Sequence, residues 1–322
     1  MKKIIFLVTI CFTVLLSLNY AHGAGKLMGH VCDVDFVAGK VGNPAWVIVD
    51  GRSGDDYKGG HIPGAVNYGK TIVTTLKHPV DGRIVSVPEA ERLFGQIGLS
   101  NDKGLIIYGT KGDYHVTIEQ QPIYLGVKDY CYLDGGYEAW VDSGKKVEIG
   151  KVTPVPAVFK AKISRPDFYV KTTEEMIGIV KNKNPHVTII DVRSPQEYNA
   201  EENTVLRGGR IPGAINIPYE ENLDSKTKKL LPIEKLKEVY KDIPKDDMVI
   251  LYCHRGCRTT YTYYALENLG YKNVRIYEDG YGVWGGRQDT PVENEHYINM
   301  RSYFLTIESM KKRLEALENK VQ

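Results

Sequence analysis

Apolar and polar positions along the chain alternate between two periods. Val187-Thr188-Ile189-Ile190-Asp191-Val192 is a β-branched, nearly unbroken apolar run, the pattern of a strand buried on both faces. Met248 to Tyr252 and Asn273 to Tyr277 read the same way. Between and around them the period becomes helical: Pro232 to Asp242 has helical spacing with proline near its start, and Arg258 to Leu269 is a helix closed by Gly270. Short strands alternating with helices predict an α/β fold in which a parallel sheet carries helices on both faces. Sites in such sheets lie beyond the carboxyl ends of the strands, which is where Cys253 falls.

The pattern occurs twice. Asp50-Gly51-Arg52-Ser53 is echoed by Asp191-Val192-Arg193-Ser194. Gly60-His61-Ile62-Pro63-Gly64-Ala65-Val66-Asn67 is echoed by Gly209-Arg210-Ile211-Pro212-Gly213-Ala214-Ile215-Asn216, and Gly136-Tyr137-Glu138-Ala139-Trp140 by Gly280-Tyr281-Gly282-Val283-Trp284. Three ordered blocks at slightly different offsets mean two copies of one domain with loop insertions. The copies run over 29–149 and 170–293. Residues 150–169, with Pro154, Pro156 and Pro166, read as a stiff extended linker.

Both ends differ from this pattern. Residues 1–24 carry Lys2 and Lys3, then an apolar stretch from Ile4 to Leu18, then Ala21-His22-Gly23; this is a secretory signal, and it predicts an exported, periplasmic protein. Residues 294–322 carry Met300, Tyr303, Ile307, Met310, Leu314, Leu317 and Val321 at alternating spacings of three and four, with Lys311, Arg313, Glu318 and Lys320 on the flanks. This tail is either a short coiled coil that makes a homodimer or an amphipathic helix lying on its own domain.

Composition narrows the function. Loss of Lys2 and Lys3 with the signal leaves 40 basic against 40 acidic residues, a balance that argues against nucleic acid as a partner and makes any pull on anions local. Four of the five cysteines remain: Cys32, Cys131, Cys253 and Cys257. Cys32 and Cys131 are either core thiols or a disulfide. The Cys-x3-Cys spacing matches no zinc pattern, and nothing in the chain calls for a metal or cofactor.

The paired blocks resemble the rhodanese family of sulfurtransferases in its tandem two-domain form, from about Gly29 to Glu293. The loop Cys253-His254-Arg255-Gly256-Cys257-Arg258 is similar to the family's active loop, whose first cysteine carries sulfur as a persulfide. The resemblance implies two rhodanese-like domains, with Cys253 as catalytic residue. Related phosphatases have five residues between cysteine and arginine; here four intervene, which favours sulfur over phosphate transfer.

The loop chemistry agrees. Cations and a helix N-terminus favour a thiolate, and successive backbone amides in a tight turn bind anions. His254, Arg255, Gly256, Cys257 and Arg258 are therefore the expected substrate-binding residues, with Arg193 a further candidate. Arg258 either touches substrate or pairs with Asp191 or Glu197, and Arg193 either binds anions or neutralises a carboxylate. Cys257 is either a small residue that fits or a thiol that attacks the persulfide. The expected reaction moves sulfane sulfur from a small anionic donor, thiosulfate or polysulfide, to cyanide or a thiol. A sulfur carrier feeding a partner enzyme and a mercaptopyruvate sulfurtransferase are the alternatives. The first copy has Gly109 where the second has Cys253, so it is expected to cover the second copy's site rather than react. Lys111 and His115 of its loop are read as solvated rather than as cleft residues.

Overall fold

The computed structural model describes residues 27–78 and 83–321. The expected signal segment, 1–24, lies outside them, as do the side chains of Lys320 and Val321. The first copy forms strands β1 (Leu27–Met28), β2 (Val31–Cys32), β3 (Trp46–Asp50), β4 (Gly104–Tyr108) and β5 (Tyr130–Leu133), joined by helices α1 (Val34–Ala38), α2 (Gly54–Gly59), α3 (Ile72–Leu76), α4 (Val87–Gln96), α5 (Gln121–Tyr124) and α6 (Gly136–Asp142). The sheet order is β1-β2-β5-β4-β3, parallel apart from the antiparallel edge β1.

The second copy has β6 (Tyr169–Val170), β7 (Val187–Asp191), β8 (Arg207–Arg210), β9 (Ile215–Asn216), β10 (Met248–Tyr252) and β11 (Val274–Tyr277). Its helices are α7 (Thr173–Asn182), α8 (Pro195–Tyr198), α9 (Ile233–Val239), α10 (Thr259–Asn268) and α11 (Gly280–Trp284). Its sheet, β6-β11-β10-β7-β9, is parallel throughout. The two unbroken apolar runs, β7 and β10, are neighbours in the middle of this sheet. The fold class read from the sequence is thus observed, twice.

Two boundaries move. The linker ends earlier than expected, because Tyr169 already pairs with Ile276 in the second sheet. It is also not a free spacer: Ala157 N donates to Gly95 O and Lys162 N to Leu125 O, and Phe159 is buried against Phe94. The tail helix begins later. Glu293–Tyr297 forms strand β12, antiparallel to β8, and helix α12 runs from Met300 to Val321.

The copies share one continuous apolar core. Helix α10 lies within it, and every residue from Thr259 to Leu266 is buried, which explains why it is rich in Tyr and Thr and has no polar face. Tyr264 and Tyr261 on α10 meet Tyr130 and Tyr132 of the first copy, hydroxyl to hydroxyl at 3.0 and 3.1 Å. Cys32 and Cys131 form a disulfide within the first sheet, with a Cα separation of 5.7 Å. This closes the question the sequence left open.

Candidate active site

Strand β10 ends at Tyr252, and Cys253 is the first residue beyond it, 2% exposed. The turn from 254 to 258 then leads into α10. Gly256 sits at φ +85°, a left-handed conformation that a side chain would strain, so glycine is the residue that permits the turn. The turn is held from behind by α11: Tyr281 N donates to Cys253 O and Gly282 N to His254 O, both at 2.8 Å. A Cβ on Gly280 would lie 2.7 Å from Cys253 O, and one on Gly282 2.8 Å from His254 O. The Gly-Tyr-Gly block recognised as a repeat motif is therefore the bracket of the cysteine turn. The first copy keeps the bracket without the thiol: Tyr137 N donates to Gly109 O at 2.7 Å.

Cys253 opens into a cavity of about 560 Å³ between the copies. The second copy contributes Cys253, His254, Arg255, Cys257, Arg258, Glu197 and Thr204; the first contributes Val73, Thr74, Lys77, His78, Tyr114 and His115. Five of the six expected loop residues thus meet in one place, and Gly256 shapes the turn from its backbone. His115 is exposed, as its reading as a solvated residue expected, and it also borders the cavity, because a 3-10 turn over Tyr114–Gln120 follows the glycine loop and faces α10. Lys111 is exposed outside the cavity, its amide held by Glu138. The sequence did not point to Lys77 or Tyr114. Lys77 Nζ donates to Arg255 O at 2.7 Å and also bonds the Cys257 sulfur. Nothing local in the sequence signals this, since it depends on how the copies dock.

Arg193 departs from expectation. It is 2% exposed and lies outside the cavity; its Nε is 3.0 Å from Asp191 Oδ1, its Nη2 2.7 Å from Gly209 O, and its guanidinium stacks over the Tyr281 ring at 3.9 Å. Arg52 makes the same set with Asp50, Gly60 O and Tyr137 in the copy that has no cysteine. A role repeated where there is no nucleophile is structural, and Arg193 is not a substrate ligand in this arrangement.

Arg258 forks onto Glu197, with Nη2 2.9 Å from Oε1, while still bordering the cavity. Asp191 is taken by Arg193, which settles which carboxylate Arg258 pairs with. Burial works against the Glu197 carboxylate, but the bond and charge of Arg258 outweigh it and hold its pKa below the ordinary value. Burial, with Arg255 and Arg258 nearby, lowers the His254 pKa, so its ring is neutral at pH 7 and supplies no cation. Burial raises the Cys257 thiol against the opposing pull of Lys77, keeping it protonated.

The rhodanese-like domain family matches this chain over residues 33–143 and 172–287, both copies. The chain belongs to the rhodanese family. Among its relatives, this tandem rhodanese is 28% identical over 258 residues to a thiosulfate sulfurtransferase of Azotobacter vinelandii, covering 78% of this chain and 92% of that protein. It is 29% identical over 250 residues to the sulfur carrier protein TtuD of Thermus thermophilus, covering 73% and 86%. A solved structure of the anaerobic ergothioneine biosynthesis enzyme from Chlorobium limicola matches with a TM-score of 0.66 at 23% identity, over 77% of this rhodanese and 64% of that chain; this likeness concerns the fold.

Proposed function

We propose that this rhodanese is an exported sulfurtransferase that carries sulfane sulfur on Cys253. The observation that carries the reading is the position of Cys253 at the floor of a cavity bordered by Lys77, Arg255 and Arg258, at the turn into a buried helix. Such a setting attracts a small anion. The Cys253 thiolate attacks the outer sulfur of thiosulfate. A new S–S bond forms, the bond to the sulfonate sulfur breaks, and sulfite leaves with the electron pair. Cyanide or a thiolate then attacks the outer sulfur of the Cys253 persulfide, and the thiolate returns as leaving group. This is covalent catalysis in two half-reactions. Amides of residues 254–258 cradle the terminal sulfur, and Arg255 and Lys77 supply the charge that holds the donor. Relatives named thiosulfate sulfurtransferase support thiosulfate as donor. The Cys32–Cys131 disulfide supports an oxidising compartment, as the expected signal segment would require.

The relative named as a sulfur carrier supports a second reading, in which the persulfide is handed to a partner enzyme with little turnover on small acceptors. One experiment separates the two. Thiosulfate–cyanide turnover is followed as thiocyanate for the intact protein and Cys253→Ser, with mass spectrometry of Cys253 for one added sulfur. Turnover lost in the variant supports the enzyme. Persulfide loading without turnover supports the carrier. If the reduced protein shows no loading and no turnover, thiosulfate is excluded as donor.

A further inference from the structure

The tail belongs to neither domain match, and its role is independent of the cysteine chemistry. Strand β12 anchors it to the second copy, with Ile298 N donating to Leu206 O just beyond. Helix α12 then runs for 22 residues, about 33 Å at the usual rise. Every side chain described along it from Phe304 to Leu317 is exposed. Met300, Ile307 and Leu314 occupy the a positions of a heptad and Tyr303, Met310 and Leu317 the d positions, and each is between 48% and 63% exposed. An isolated helix with so much bare apolar surface is marginal in water without a partner.

We propose that α12 pairs with α12 of a second copy as a parallel two-stranded coiled coil. Three observations select this occupant. The stripe follows the strict three-and-four spacing of a coiled-coil seam along the whole helix. Its flanks are complementary in one orientation: with Arg313 at g and Glu318 at e, a parallel pair sets Arg313 of each helix against Glu318 of the other, twice per dimer. An antiparallel pair in the register that matches the layers would set Arg313 against Thr306 and Lys311 against Phe304, with no opposite charges facing. The polar side of the helix also interleaves Glu308 and Glu315 with Arg301 and Lys312, unlike the one-signed basic face of a helix that lies on an anionic membrane.

The test is sedimentation equilibrium of the full chain, with vesicle flotation on anionic phospholipid in parallel. The expected result is twice the chain mass at micromolar concentration. Leu314→Asp should give a monomer whose thiosulfate–cyanide turnover is unchanged. Arg313→Glu should weaken the dimer roughly five- to tenfold, and adding Glu318→Arg should restore it. Leu314→Cys should oxidise to a cross-linked dimer, because equal a positions meet only in a parallel pair, whereas Glu315→Cys should not. A monomeric full chain overturns the proposal, whether or not it floats with vesicles. A dimer that does not respond to Leu314→Asp or to the charge reversal overturns it as well.

Discussion

Arg258 and Glu197 form a forked ion pair beside the cysteine turn, and the first copy has no counterpart to it: Asp56 stands at the position of Glu197, bonded to Ser53, and no arginine follows the Gly109 loop. The pair accompanies the thiol, whereas the Asp-x-Arg pair is common to both copies. Glu197→Ala leaves a largely buried guanidinium uncompensated and frees the end of the turn. It should cost about 3 kcal/mol in urea denaturation and lower thiosulfate–cyanide kcat/KM by at least roughly tenfold. Unchanged kinetics in the folded variant would show that the pair does not hold the turn.

Cys257 borders the same cavity, but its thiol is held protonated by burial. Cys257→Ser should therefore keep kcat/KM within roughly threefold of the parent. A collapse of turnover in this variant, together with a Cys253–Cys257 disulfide in the parent after sulfur loading, would instead make Cys257 a resolving thiol that releases sulfide.

Arg193 and Arg52 should behave alike. Arg193→Met and Arg52→Met each strand a buried aspartate and should cost about 3–5 kcal/mol of stability. The KM for thiosulfate in the folded fraction should stay put in both. A tenfold rise in KM for Arg193→Met alone, with stability intact, would return that residue to the substrate.

Asp134 gives the docked copies a pH dependence. It accepts from Leu230 N at 3.1 Å across the interface, and burial raises its carboxyl pKa to about 6. A carboxyl raised on folding binds more protons in the native state. Its contribution is therefore largest below the unfolded value near 4 and is lost as pH rises through about 6. The parent should lose about 2–3 kcal/mol relative to Asp134→Asn between pH 4 and pH 7. Denaturation midpoints across that range check it, and parallel curves for the two proteins would rule it out.

Much of this was determined by the sequence alone. The β-branched runs, helical stretches and repeated blocks specify two α/β copies, because strand and helix periods and turn glycines act over a few residues. The cysteine turn was legible for the same reason: Cys253, Gly256 and the helix start are contiguous. What lies across the cavity was not. Lys77 meets Arg255, and Tyr114 and His115 face the turn, only because α10 is buried between the copies and brings distant surfaces together. Tertiary packing also decided the fate of the charges. Arg193 looked available for an anion in the sequence, yet burial beside Asp191 commits it to the frame and leaves Arg258 to Glu197, since a buried guanidinium must find its carboxylate close by. The Cys32–Cys131 bond likewise required two strands to lie side by side, a relation that spacing along the chain does not contain.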